Sequence, residues 1–142
     1  PYTTLFRSGV LMISIFEAAP DVTKSLTTLV LQPMNGAAEL RRWLYGHGWH
    51  ISDESLAVAD GRIYEIIQAR RGKRTMPLAL DLLVGPVLWA KKPPLLRHHI
   101  EALLFQLRRV LTGMEKSSRA QESRKYAQVK KQVMELEERL KW

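Results

Sequence analysis

The residues that stand out first for their chemistry are two side-chain amides, Gln32 and Asn35, in the segment LQPMN. They lie at and just after the end of the apolar run 27–33. The continuous hydrophobicity of this run predicts a strand covered on both faces, as in a parallel sheet. Open α/β sheets bind ligands at the carboxyl ends of such strands. Gln32, Pro33 and Asn35 are therefore candidates for the substrate side of a site. The alternative is structural, with Pro33 ending the strand and Asn35 capping the next helix.

Other reactive residue types form no catalytic or metal-binding motif. The sequence has no cysteine, which excludes thiolate chemistry and a cysteine-ligated zinc. His98 and His99 are neighbours on a predicted helix and cannot share a face, so no metal site is predicted. Asp53 and Glu54 resemble a carboxylate pair, but adjacent residues of a strand point to opposite faces. This favours a structural or solvated role for both.

Basic residues are the second chemical feature, and they are concentrated near the C-terminus. Residues 91–142 contain thirteen Lys or Arg but only six Asp or Glu, whereas the rest of the chain is close to neutral. Such an imbalance favours polyanions, nucleic acid first. The candidates for phosphate contact are Arg70, Arg71, Lys73, Arg74, Lys91, Lys92, Arg108, Arg109, Arg124, Lys125, Lys130 and Lys131. The alternative is an ordinary solvated charged face.

The elements that must position these residues begin with a helix, a strand and a second helix. Apolar residues three and four apart predict the first helix over residues 11–19, and the strand follows at 27–33. The second helix is expected to start from an N-cap at Asn35 and to end at Gly46 or Gly48.

A β-hairpin is predicted next. Partial alternation over residues 51–58 and 62–69 flanks the turn Asp60-Gly61, a strong hairpin signal. A single parallel strand cannot form a sheet alone. The order therefore predicts an α/β fold, the C-terminal half of a doubly wound sheet whose last strand inserts antiparallel.

Two heptad seams follow the proline-rich boundary at residues 91–94. Their apolar residues, separated by alternating steps of three and four, are Leu96, Ile100, Leu103, Leu107, Val110 and Met114, then Tyr126, Val129, Val133, Leu136 and Leu140. The connection between the seams is short and polar. We therefore predict an antiparallel helical coiled-coil hairpin.

Five short sequence words in the same order carry a resemblance to a known family. They are Leu31-Gln32-Pro33 with Asn35, Arg42-Trp43-Leu44, Ile51-Ser52-Asp53-Glu54, Tyr64-Glu65, and Leu83-Val84-Gly85-Pro86. With these words the chain resembles the bacterial tRNA (adenine-22)-N1-methyltransferases. The resemblance implies S-adenosylmethionine as cofactor, tRNA as partner, a Rossmann-like domain and a C-terminal coiled coil.

The resemblance also implies how the chain is organised. Gly9 would be the last glycine of the family's Gly-Met-Gly-Gly turn, and the octapeptide before it resembles a translated sequencing adapter. We therefore expect residues 1–8 to be an artefact, 9–78 to be the C-terminal part of the Rossmann-like domain, 79–94 to be a linker and 95–142 to be the hairpin. The catalytic and cofactor-binding residues would lie in a missing N-terminal half, so this fragment is expected to bind the cofactor poorly.

The predicted function is thus that of a fragment of a cytoplasmic, S-adenosylmethionine-dependent tRNA adenine-N1 methyltransferase. The alternative is a non-catalytic basic RNA-binding or coiled-coil adaptor. A buried strand left without a neighbour argues against the alternative, because an exposed apolar edge invites aggregation. No apolar stretch approaches the roughly 18 residues that a membrane span needs. Self-association through the coiled coil or the sheet edge stays open.

Overall fold

A computed structural model describes residues 8–142, so the supposed adapter segment lies outside the described residues except for Ser8. The helices and strands in chain order are α1 (Gly9–Ala18), α2 (Pro20–Ser25), β1 (Thr28–Leu31), α3 (Ala37–Gly46), β2 (Trp49–Ala59), β3 (Arg62–Arg71), α4 (Ala79–Val84), α5 (Pro86–Lys91), α6 (Leu96–Glu115), α7 (Ser118–Gln121) and α8 (Arg124–Arg139). They fall into two compact units, divided between Pro93 and Pro94.

The first unit contains a sheet with the strand order β1-β3-β2. Strand β3 lies between the other two and pairs antiparallel with both, with Leu29 opposite Ala69 and Leu31 opposite Ile67. The predicted antiparallel insertion of the last strand is confirmed. The parallel neighbour expected for β1 is not found among residues 8–142, where the strand paired with β1 is β3. β1 and β2 run in the same direction but are separated by β3.

The hairpin between β2 and β3 turns at the predicted dipeptide. Asp60 and Gly61 have φ values of 52° and 73°, the two left-handed conformations that a type I′ turn requires. The register shifts between Ile51 and Asp53, as in a β-bulge. A bulge moves the alternation by one residue. Glu54 is consequently buried, while Asp53 is exposed.

Helices α1 and α3 pack on the sheet around an apolar core. The buried cluster consists of Met12, Phe16, Leu29, Leu31, Leu40, Leu44, Trp49, Ile51, Ile67 and Ala69. Each large side chain buried in this way contributes about 1.5–3 kcal/mol relative to exposure. Helix α3 ends at Gly46, one of the two glycine exits that the sequence predicted.

Residues 79–94, expected to be a linker, contain two short helices that belong to the first unit. Leu82, Val84 and Leu88 are fully buried. The segment is folded and not a flexible linker, because burying these apolar side chains away from water is favourable.

In the second unit α6 and α8 pack against one another. Arg97, near the start of α6, donates to the carbonyl oxygen of Leu140, while Arg108, further along α6, pairs with Glu137. The two helices therefore run in opposite directions. Leu104 is buried although it lies outside the predicted seam, whereas Val110, assigned to the seam, is 43% exposed. Regular heptad packing stays a prediction.

Candidate functional site

The turn after β1 brings three segments of the first unit together. Ser8 and Asn35 form a parallel bridge, and the backbone N–H of Gly9 donates to the carbonyl oxygen of Asn35 at 2.9 Å. Helix α3 begins from Gly36, which has φ +67°, and not from Asn35 as the sequence predicted. The backbone carbonyl of Asn35 is engaged with Gly9 here, and the chain enters the helix through a left-handed residue that glycine adopts without strain.

Gly9 has a steric reason to be glycine. A Cβ atom on this residue would lie 2.3 Å from the carbonyl oxygen of Gly36, a backbone atom that cannot move aside alone. The N-termini of α1 and α3 therefore meet closely at the carboxyl end of β1. Gln32 and Asn35 are exposed at this junction, and Pro33 is buried. The structure thus brings the three predicted substrate-side residues together at one end of one strand.

S-adenosylmethionine, the cofactor that the resemblance implies, would need hydrogen-bonding partners for its ribose hydroxyl groups. Ser8, Gln32 and Asn35 offer hydroxyl and amide groups, and none of them is the carboxylate that holds a ribose diol in dinucleotide-binding folds. The space between Gly9 and Gly36 is closed by their backbones. These residues do not by themselves fit the cofactor.

A buried charge network centred on Arg41 lies beneath the sheet surface, and the sequence did not reveal it. The guanidinium of Arg41 donates from Nε to Glu54 at 2.8 Å and from Nη2 to Glu65 at 2.6 Å. It also donates to the carbonyl oxygens of Leu82 and Leu83. The side chains of Arg41 and Glu54 are fully buried. One cation thus joins α3, both hairpin strands and α4.

Burial acts on the two charges of this pair in different ways. For Arg41, burial works to lower the pKa, but the charges of Glu65 and Glu54 outweigh it and hold the pKa above its ordinary value. Burial raises the pKa of Glu54, and Arg41 opposes that rise. A lone buried charge would cost several kcal/mol, so each member of the network depends on its partners.

The junction between α4 and α5 contacts the same network. Glu54 accepts hydrogen bonds from the backbone N–H groups of Val87, at 2.9 Å, and Leu88, at 3.4 Å. Gly85 has φ +111°, and a Cβ there would lie 3.0 Å from both Arg41 and Glu54. The sequence word Leu83-Val84-Gly85-Pro86 is therefore explained by close contact with a buried ion pair. A signal for Arg41 did exist, because Ala37, Leu40, Arg41 and Leu44 share one helix face.

The predicted basic loop separates into exposed and structural residues. Arg70, Lys73 and Arg74 are exposed. Arg71 instead donates to the carbonyl oxygens of Leu26 and Thr23 and stacks over Trp49, with 3.9 Å between the guanidinium carbon and the ring centroid. Its guanidinium is thus already bound to partners within the first unit.

The two lysines at the end of α5 also have partners in the first unit. Lys91 donates to Asp53 at 2.9 Å, and this hydrogen bond lowers the pKa of the Asp53 carboxyl. Lys92 donates to the carbonyl oxygen of Trp89 and lies 4.0 Å from the centroid of its ring. Both residues are exposed, so their charges still face water.

Several exposed cations without a carboxylate partner among the described residues cluster at one end of the second unit. We call residues 115–125, where α6 ends, α7 lies and α8 begins, the tip. Exposed cations there are Lys116, Arg119, Arg124 and Lys125. No ion pair joins any of them to a carboxylate within residues 8–142, whereas Arg108 pairs with Glu137 and Lys131 with Glu135. Lys130 is exposed on α8, one helical turn or more from the tip. The predicted phosphate ligands thus lie in three places: the first unit, the tip, and the lengths of α6 and α8 beyond the tip, which carry Arg108, Arg109, Lys130 and Lys131.

No group of three or more His, Asp or Glu residues is arranged to hold a metal ion among residues 8–142. In the same residues no helix is both long and apolar enough to cross a membrane.

The sequence matches the model of a known protein family. Residues 8–138 match the family model described as TrmK, tRNA (adenine(22)-N(1))-methyltransferase. The chain belongs to this family. The suspected resemblance is confirmed, and the family model extends over both compact units.

A relative and a solved structure agree with this membership. The tRNA (adenine(22)-N(1))-methyltransferase of Bacillus subtilis is 35% identical over 89 residues, which are 59% of this chain and 37% of the relative. The crystal structure of the B. subtilis M1A22 tRNA methyltransferase TrmK has a TM-score of 0.69 at 27% identity, covering 98% of this chain and 59% of that one.

Two streptococcal structures show the likeness of fold alone. Sp1610 from Streptococcus pneumoniae, in complex with S-adenosyl-L-methionine, has a TM-score of 0.79 at 24% identity, covering 97% of this chain and 58% of that one. A protein of the NADB-Rossmann superfamily from Streptococcus agalactiae has a TM-score of 0.80 at 23% identity, covering 97% and 58%. The fold is therefore Rossmann-like, as predicted, and the chain spans less than two thirds of each of these relatives.

Proposed function

We propose that these residues serve an enzyme of the cytoplasm that transfers a methyl group from S-adenosyl-L-methionine to N1 of an adenine in tRNA. The observation that carries the proposal is the family match over residues 8–138. We infer the cofactor from the S. pneumoniae structure, which contains S-adenosyl-L-methionine, and the substrate from the name of the B. subtilis relative. Within such an enzyme, residues 9–78 would be the Rossmann-like part and 95–142 a coiled-coil hairpin.

The exposed amides after β1 are proposed to face the target adenine. N1 of a neutral adenine is already nucleophilic, so methyl transfer depends on placing the ring in line with the methyl donor. Gln32 and Asn35 can each donate and accept a hydrogen bond, as the edge of a base requires. The close packing of Gly9 against Gly36 supports this role, because it fixes the turn that carries both amides.

The tip of the second unit is proposed to bind the tRNA backbone. Its four exposed cations have no carboxylate partner within the described residues, so their charge is available to phosphates. Contacts of this kind supply sequence-independent affinity and orient a nucleic acid without reading its bases. The exposed loop cations Arg70, Lys73 and Arg74 would add a second contact region on the first unit.

A chimeric enzyme tests the proposed activity. Residues 9–142 of this chain would replace the matching segment of the B. subtilis relative, and N1-methyladenosine would be measured in tRNA digests by mass spectrometry. We expect the chimera to methylate tRNA. We also expect Asn35→Ala in the chimera to lower kcat by about a hundredfold, the scale of misplacing a reacting group by 1 Å.

The matched control is Glu39→Ala, which removes an exposed polar side chain from the first turn of α3. It should leave kcat unchanged. A folded chimera that binds tRNA but forms no N1-methyladenosine would contradict the proposed function. Equal losses for Asn35→Ala and Glu39→Ala would contradict the role of the turn.

A further inference from the structure

Phe105 is an unusual residue for the surface of a long helix. It lies near the middle of α6, and 64% of its side chain is exposed to water. Full burial of a phenylalanine is worth about 1.5–3 kcal/mol, so this exposure gives up a large favourable term.

The surroundings of the ring combine apolar and cationic groups. The guanidinium carbon of Arg109 lies 5.9 Å from the centroid of the Phe105 ring, within cation–π distance. Val110, which the heptad pattern assigned to the helix interface and which follows Arg109 in the chain, is 43% exposed. A shallow hollow of about 340 Å³ is lined by Gln106, Arg109 and Val110. Arg109 therefore lies next to the Phe105 ring and also lines an open depression that has the Gln106 amide in its wall.

This patch is continuous with the basic tip. Phe105, Arg109, Thr112 and Lys116 follow each other at steps of four, three and four, which keeps them on one strip of the helix surface. The strip begins at the aromatic ring and ends at a tip cation, and all four residues are exposed. A ligand that follows it must offer a flat apolar group near Phe105 and negative charge near Lys116.

We propose that the Phe105 patch binds an unpaired nucleobase of RNA while the neighbouring tip holds its phosphates. The base would stack on the Phe105 ring, Gln106 would hydrogen-bond its edge, and Arg109 would contact the adjoining phosphate. Bases held in a duplex are already stacked and would not reach the ring. The inference rests on the proposed binding of tRNA and adds to it a site for single-stranded nucleotides.

The test measures the affinity of the whole 142-residue chain for two probes, a single-stranded RNA 12-mer and a blunt RNA duplex of the same length. Phe105→Leu keeps an apolar side chain but removes the aromatic face. It should weaken binding of the single strand by about five- to hundredfold, the measured range for one stacked base, and leave the duplex unchanged. Phe105→Trp should keep or improve single-strand binding.

Met134→Leu is the matched control, because Met134 is 63% exposed on α8 and carries no aromatic ring. It should not alter either affinity. Equal binding of the single strand by wild type and Phe105→Leu would overturn the inference. So would a change of oligomeric state in Phe105→Leu by sedimentation, which would make the patch a contact between copies. Loss of tip cations with no effect on any RNA would instead refute the proposed binding of tRNA by the tip.

Discussion

At the scale of single residues, the fold of the first unit depends on one buried arginine. Arg41 and Arg42 are adjacent in α3 and differ in burial. Arg41 is fully buried and hydrogen-bonded to Glu54, Glu65 and two backbone carbonyls, while Arg42 is exposed. A buried ion pair adds little over an apolar replacement of both partners, but removing one partner is strongly destabilising.

Replacing each arginine by glutamine separates the two roles. Arg41→Gln should lower the free energy of unfolding by about 3–5 kcal/mol, because Glu54 then stays buried without its cation. Arg42→Gln should change it by no more than about 0.5 kcal/mol, as expected for an exposed site. Urea denaturation followed by circular dichroism measures both. Similar small effects for the two substitutions would show that the network carries no stability.

At the scale of elements, two glycines have opposite reasons to be present. Gly85 joins α4 to α5 with φ +111°, and a Cβ there would lie 2.8 Å from Cδ1 of Leu88. Gly113 lies inside α6, and nothing lies within 4 Å of the place its Cβ would occupy. The first glycine is required by geometry, whereas the second only weakens its helix.

Alanine substitution should therefore change stability in opposite directions. Gly85→Ala should lower the free energy of unfolding by at least about 1–3 kcal/mol, because the backbone is strained and Leu88 must move. Gly113→Ala should raise it by about 0.5–1 kcal/mol. Thermal unfolding of the two variants beside the wild type is the measurement. Destabilisation by Gly113→Ala would mean that α6 uses this glycine for something other than helix formation.

How far the sequence could predict these elements depended on the range of the interactions. The Asp60-Gly61 turn is encoded locally, and the hairpin was predicted from it. The burial of Glu54 depends on a bulge in β2 and on a cation from α3, thirteen residues away. Alternation alone placed Asp53 and Glu54 on opposite faces and did not show which of the two is buried. The glycine N-cap of α3 was missed because the backbone of Asn35 is occupied by Gly9, a contact between distant segments.

At the scale of the whole molecule, the charge distribution is the feature most directly tied to function. The net charge of +8 is carried mainly by residues 91–142, and the tip contains four exposed cations without carboxylate partners in the described part of the chain. Family membership was predictable from five short sequence words. The stacking of Arg71 on Trp49 and its hydrogen bonds to backbone carbonyls were not predictable, because they depend on how α2 and β3 pack.

The claim that the tip holds tRNA phosphates is tested by the salt dependence of tRNA binding by the chain. The tip variant would carry Lys116→Gln, Arg124→Gln and Lys125→Gln. The control, with the same loss of charge, would carry Lys24→Gln, Arg42→Gln and Arg62→Gln in the first unit. Each phosphate contact contributes a slope of about −0.7 to −0.9 to log K against log salt.

We predict that the tip variant binds tRNA more weakly and that its slope is shallower than wild type by about 2–3, one contact's worth for each lysine or arginine removed. The control variant should keep a slope close to that of the wild type. Identical slopes for the wild type and the tip variant would contradict the claim. Equal reductions in the tip and control variants would contradict it as well, because net charge and not the tip would then account for binding.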